Sequence, residues 1–451
     1  MPSSCLSTLT QTETESETST MRRSAAHAIT ILCLTNCCLA SSVGAATWIA
    51  TPRPSESAGI IQNYIDLSSD GDTVIVRPGH YYENLDLKGK AIALRSLAGP
   101  AETILDGSLK PEPVITCRSM ESNRTIIEGF TITNGSGHTE ALNTVWGGGV
   151  LCISSQPQIL GNIIMQNHVE SDGFGAAWGG GIFIVGPPGA EPIIIQNNVL
   201  LENNASVNGG GAWLEAPCIF ANNLIKANST TMGDGGGIYI TGPEIAVIGN
   251  VFVNNRAGDH GGGIFVIEAD VSIENNVMVA NQSNTQIASD CSGGAIWVSG
   301  KASIISNTIA FNEASSRVGL AAGGLCIVSA SGGSIISYNI VSDNVGGGII
   351  GSESSEGIAS DVPLVRNILY NNLGGDIVDS AIVRFAETET ISENPLFCLA
   401  TAETDGSLSS SSPALNQGFG PIGAIETPGC GPVRIFDTSW GLLKWRFTEL
   451  K

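Results

Sequence analysis

Asparagine recurs in this chain at a spacing that few folds can accommodate. Eight segments carry Asn at i and i+5: NIIMQN from Asn162, NVLLEN from Asn198, NLIKAN from Asn223, NVFVNN from Asn250, NVMVAN from Asn276, NTIAFN from Asn307, NIVSDN from Asn339 and NILYNN from Asn367. The third residue of each is apolar (Ile164, Leu200, Ile225, Phe252, Met278, Ile309, Val341, Leu369), and so is the residue three before the first Asn, from Ile159 to Leu364. A fixed inward face over so few residues predicts short strands. Glycine runs at 147, 179, 209, 235, 261, 293, 323 and 346 form a second register mark, each leading into an apolar stretch such as IFIV, IYIT or IWVS. Glycine ahead of a strand permits a tight corner. Two marks per repeat of 25 to 36 residues describe a chain that coils, each strand pairing with its equivalent one repeat later at about 4.8 Å. Equivalent asparagines then stack as well, and their amides satisfy backbone groups at corners that no strand ladder reaches.

With these marks in view, the sequence resembles the right-handed parallel β-helix of the pectate-lyase-like superfamily, in its exported bacterial form, over roughly residues 70–400. The stretch GDTVIVRPGHYYENLDLKGKAIALRS (71–96), then TILDGS through IIEGFTITNG (103–135), is similar to the opening coils of such proteins, and NPLFC, SSPALNQG and IGAIETPGCG to their closing segment. The resemblance implies an all-β, single-stranded solenoid with a short N-terminal capping helix and a C-terminal tail. It covers polysaccharide lyases, glycoside hydrolases, esterases and adhesins, so it selects no activity by itself.

The open ends of a solenoid are exposed sheet edges that need covering. Ile60, Ile61, Tyr64 and Ile65 stand at helical spacing and suit an N-terminal cap, while Trp440, Leu443 and Phe447 share one helical face in TSWGLLKWRFTELK, which suits either a C-terminal cap or a sorting tail. The expected organisation is a leader at 1–45, cap and first coils at 46–135, Gly/Asn-marked coils at 136–380, a terminal coil and closing segment at 381–430, and the tail at 431–451. Within the leader, Arg22 and Arg23 precede an apolar run and small residues at Val43 and Ala45, the pattern of an export signal, with Met21 as an alternative start. Export predicts a secreted, periplasmic or surface location, and no later segment is long and apolar enough to anchor the mature chain in a membrane. A formal net charge of −22 repels phosphate backbones and argues against nucleic acid as a partner.

Cys152 and Cys326 stand where other repeats carry aliphatic residues and read as small buried hydrophobes. Cys398 and Cys430 flank the last irregular segment, where an oxidising compartment would allow a disulfide. No CxxC or His-rich cluster suggests zinc.

Chemistry can sit at the corner before each glycine run. Its last residue reads Trp146, Trp178, Asn208, Asp234, His260, Ser292 and Ala322 along the repeats, and coiling makes these neighbours. Asp234, Asp259 and His260 are the candidate catalytic set, with Glu170, Asp172 and Asp290 on adjoining loops; such carboxylates suit an acid/base pair or Ca²⁺, the one cofactor the pattern suggests. In the following strand a second row reads Leu151, Phe183, Trp213, Tyr239, Phe265, Trp297, Ile327 and Ile350. With the flanking aliphatics facing the core, these rings face outward, and Trp146, Trp178, Asn208, Trp213, Tyr239, Phe265 and Trp297 become candidate substrate contacts. Outward rings beside acids suit a sugar chain, whose apolar faces stack on aromatics while its hydroxyls bond to carboxylates and amides. Rings in parallel strands also stabilise one another by stacking.

The expected function is binding of an extracellular or cell-surface polysaccharide on one lateral face. The alternatives are a polysaccharide lyase or glycoside hydrolase using the acidic corner, and a structural or adhesive surface protein. Against the lyase stands the position of Lys226, Arg256, Lys301 and Arg317, none of which falls on the glycine-led strand.

Overall fold

The structure is a computed structural model that describes residues 45–397, apart from 53–58, 141–142, 172–174, 188, 190, 286–290, 318–319, 331–332, 353–359 and 380–382, together with 412–415 and 422–423. The chain is a parallel β-helix. Each full coil begins with the glycine-led strand, continues into the strand before the asparagine segment, bends into a three-residue strand between the two asparagines, and bends again into a two- to four-residue strand before the next corner. Among the described residues the first two sets merge into one 22-stranded sheet, because Ile264–Glu274 and Ile296–Ile305 run straight through their junction. The eight strands between the asparagines, with Gly79–Tyr82, Thr103–Asp106 and Thr131–Thr133 before them, form an 11-stranded sheet, and the strands after the asparagine pairs form a 6-stranded sheet.

Both bends of every asparagine segment share one device. The residue before each Asn is left-handed: Asn197, Asn222, Asn275, Ser306, Tyr338 and Arg366 precede the first asparagine of their segments, and Gln166, Glu202, Ala227, Asn254, Ala280, Phe311, Asp343 and Asn371 precede the second, with φ between 54° and 57°. L-residues enter this region at a cost, which the asparagines offset. Asn250 is representative: its Nδ2 donates to Phe220 O at 2.8 Å and to Asn276 Oδ1 at 3.0 Å, while its own Oδ1 accepts from Asn223 N at 2.8 Å. The pattern repeats through Asn162, Asn198, Asn223, Asn276, Asn307, Asn339 and Asn367, and in a second column from Asn167 to Asn372. Ala227 has little side chain to lose, so Ala227→Gly is expected to stabilise the protein by about 0.5–1 kcal/mol, relief of backbone strain exceeding the added entropy of the unfolded chain. Denaturant midpoints of the two proteins check this; a destabilised variant would show that the bend carries no strain.

The interior holds the aliphatics that the two-residue alternation points inward, among them Ala212, Ile238, Ile264 and Ile296, all at 0 % exposure. At the N-terminal end the helix Ile60–Leu67 buries Ile60, Ile61 and Ile65 against this core. The buried Glu83 carboxylate fixes it by accepting from the backbone N–H groups of Ile60, Ile61 and Gln62 at 2.9–3.1 Å, which satisfies its first turn from outside the helix. No helix among the described residues is long and apolar enough to cross a membrane. The leader, the proposed cleavage site up to Gly44, Cys398, Cys430 and the tail with Trp440 lie outside the described residues.

Candidate functional site

Each glycine run closes a corner that only glycine can make. Gly261 has φ +64°, and a Cβ there would lie 2.5 Å from Ile264 O. The strand that leaves the corner pairs in register with its neighbours, so Phe183, Trp213, Tyr239, Phe265 and Trp297 stand directly above one another. Their rings stack: Trp213 on Tyr239 at 4.1 Å between centroids and 4° between planes, Phe265 on Trp297 at 4.4 Å and 8°.

This row corrects the expectation of an open aromatic platform. The flanking aliphatics do face the main core and the rings do face away from it, yet the rings are only 3–9 % exposed and form a second apolar cluster with Leu151, Cys326 and Ile350. Stacking covers their faces, and Trp146 and Trp178 of the corner pack against the same cluster. Burial pushes the Tyr239 phenol pKa up. Trp213, Tyr239, Phe265 and Trp297 are therefore a structural ladder rather than a surface on which a sugar ring can lie.

The row also slips by one residue after Trp297. Cys326, not Ile327, pairs with Trp297, and Ala321, not Ala322, stands beside Ser292. Cys326 is no isolated buried hydrophobe, because it forms a disulfide with Cys291 one coil earlier. Trp297 Nε1 donates to Cys291 O at 3.0 Å, tying the ladder to that bridge. Cys117, Cys152 and Cys218 are buried and free. The Cys218 thiol is pushed up to about 12 by burial, and Cys117 is raised first by its hydrogen bond with Cys152 and then by burial, so neither is a nucleophile at neutral pH.

The corner column keeps its order in space. Trp146 pairs with Trp178, and Trp178 bridges to Asn208. Asn208 Oδ1 accepts from Asp234 N at 2.8 Å, and Asp234 Oδ1 accepts from His260 N at 2.9 Å. Trp146 and Trp178 are half-buried, with parallel indoles 6.4 Å apart and 7° between planes. Asn208 and Asp234 are likewise half-buried, so this column, unlike the ring ladder behind it, reaches the surface.

At the end of the column Asp234, Asp259 and His260 converge, with one donor atom from each lying within 4.8 Å of the others. His260 Nδ1 is 2.9 Å from Asp234 Oδ1 and 3.5 Å from Asp259 Oδ1. Since an ionised carboxylate only accepts, Nδ1 carries the proton of this bond. The imidazole lies 5.6 Å from the Trp297 ring and 6.3 Å from that of Phe265, which fixes its plane. Burial pushes the Asp259 carboxyl pKa up, with the Asp234 charge adding to the shift and the His260 charge opposing it. Asp259 Oδ1 is shut off from solvent and accepts no hydrogen bond. Such a set can hold a cation or exchange a proton with a bound group. Glu170 is exposed and bonds to His168, whereas Asp172 and Asp290 lie outside the described residues.

A second polar group adjoins the other end of the column. His138 pairs with Trp146 across an antiparallel bridge, Arg118 Nη1 lies 2.8 Å from His138 Nε2, and His138 Nδ1 lies 3.2 Å from Glu112 Oε2. Arg118 Nη2 donates to Glu140 Oε1 at 3.0 Å. Arginine only donates, so His138 accepts at Nε2 and donates from Nδ1. Sequence reasoning missed Arg118 because no repeat mark falls on it; the only signal was His138–Thr139 set to fold back on Val145–Trp146. Of the cations that reasoning did weigh, Lys301 pairs with Asp270 at 2.7 Å, away from the column.

No family model matches the sequence, and no curated protein matches it. Solved structures to which it is similar include pectate lyase Pel9A, at 12% identity over 86% of this chain and 98% of that one with a TM-score of 0.35. They also include the Azotobacter vinelandii mannuronan C-5 epimerase AlgE6 A-module, at 14% identity over 77% and 100% of the two chains, again with a TM-score of 0.35.

Proposed function

We propose that this chain is an exported β-helix protein that binds an extended polysaccharide along the corner column from Trp146 to His260. The observation that carries the reading is the continuity of that column: two half-buried, parallel indoles followed at one-coil spacing by an amide, a carboxylate and an imidazole. Five coils at the strand spacing give a strip of roughly 19 Å. The exposed parts of the two indoles supply apolar contact for sugar rings, and the polar half supplies partners for hydroxyls. A net charge of −22 favours a neutral glycan over a polyanion.

Glycan-array binding with the mature protein tests this. Neutral polysaccharides are expected to bind, and the Trp146→Ala/Trp178→Ala double variant to lose about tenfold or more in affinity, as loss of two stacking contacts implies. Unchanged binding by a folded double variant would refute the column as the contact surface. The raised pKa of Asp259 favours a hydrolytic version of the same reading. In that case wild type releases reducing ends from the bound glycan and Asp259→Asn does not, while both still bind.

A further inference from the structure

We infer that Asp234, Asp259 and His260 form a binding site for a divalent transition-metal ion of the zinc class, with His260 Nδ1 and one oxygen of each aspartate as ligands. The spacing fits. A tetrahedral ion with bonds of about 2.0–2.2 Å holds its ligands roughly 3.3–3.5 Å apart, and Nδ1 lies 2.9 Å from Asp234 Oδ1 and 3.5 Å from Asp259 Oδ1. The corner is also built for a guest rather than for solvent. His260 is nine-tenths buried at 9 % exposure, and the polar contacts of its imidazole among the described residues are with Asp234 and Asp259.

The decisive group is Asp259. Its Oδ1 is withdrawn from water and accepts no hydrogen bond, with His260 Nδ1, 3.5 Å away, as its nearest ion-pair partner among the described residues, a costly arrangement for a carboxylate unless a stronger positive charge faces it. Among the described residues neither Asp234 nor Asp259 pairs with a lysine or arginine. A metal ion at the centre of the three ligand atoms gives that oxygen a partner and takes the place of the proton now shared between His260 and Asp234, the neutral imidazole then carrying its one proton on Nε2. Two carboxylates and an imidazole leave a fourth position for water or a ligand oxygen. Calcium is disfavoured here, since it takes six to eight oxygen ligands and the corner adds a nitrogen.

The site shares Asp234 and His260 with the proposed glycan column, but its test contains no glycan, so the two readings stand or fall separately. Mature protein stripped with chelator is titrated with Co²⁺, followed by visible absorption and calorimetry, with Ca²⁺ in a parallel titration. One Co²⁺ per chain is expected, with four-coordinate bands that Zn²⁺ abolishes. Asp259→Asn and His260→Gln, checked for folding by circular dichroism, are each expected to weaken uptake by about tenfold or more. Absence of saturable Co²⁺ uptake by the wild type, unchanged uptake in both variants, or Ca²⁺ binding in preference to Co²⁺ would each overturn the assignment.

Discussion

Asn250→Leu is expected to destabilise the protein by about 3 kcal/mol or more, since two or more buried polar groups lose their partner at about 1–3 kcal/mol each. The groups are specific. Asn223 N–H and Asn223 Nδ2 both donate to Asn250 Oδ1, and Phe220 O accepts from Asn250 Nδ2, all in fully buried surroundings. Leucine fills a similar volume and offers none of these bonds, so the left-handed bend at Gly249 keeps its geometry and loses its support. The effect is largest in mid-column, where the asparagine has a partner on both sides; among the described residues Asn367 has no following ladder asparagine. Guanidinium denaturation of Asn250→Leu beside wild type measures it, and an unchanged midpoint would mean that the ladder contributes nothing.

Trp213→Ala is expected to cost a further-reaching 3–5 kcal/mol, roughly the loss seen when a large aromatic leaves a packed core. A sequence-only reading makes this ring dispensable, because it points away from the main core. In the structure it lies between Tyr239 at 4.1 Å, Phe183 at 6.0 Å and Trp178 at 5.0 Å, so its removal opens a cavity walled by three rings. Thermal denaturation followed by near-ultraviolet circular dichroism reports both the stability and the ring stack. A variant that melts with wild type and keeps its near-ultraviolet signal would show the outer cluster to be incidental.

The contrast between these residues explains what a sequence can disclose about this fold. Asparagine spacing was legible because the same two bends recur at i and i+5, and because stacking converts sequence equivalence into contact: Asn250 meets Asn276 through 26 residues of separation. The same logic brought Asp234 to His260, also one coil apart. Alternation along Ala212–Glu215 correctly assigned Ala212 to the interior. It says nothing about what covers the opposite face, since cover depends on the path of the corner loops, whose lengths differ from coil to coil.

Trp213 therefore read as a surface ring. The irregular coil after Ser292 shifted the count by one residue, which concealed the placement of Cys326 beside Trp297 and hence its bridge to Cys291. Burial of Asp259 and the hairpin that sets Arg118 and His138 beside Trp146 arise from tertiary packing, for which the repeat carries no mark.

Oxidative footprinting of the protein, read by mass spectrometry with and without the neutral glycan that binds best on an array, tests the account of the corner column most directly. The account predicts that glycan protects Trp146 and Trp178 from oxidation, that Trp48 at the N-terminal end is unaffected, and that the buried Trp213 and Trp297 react little in either state. Protection confined to another face of the coil, or oxidation of Trp146 and Trp178 unchanged at saturating glycan, would contradict it.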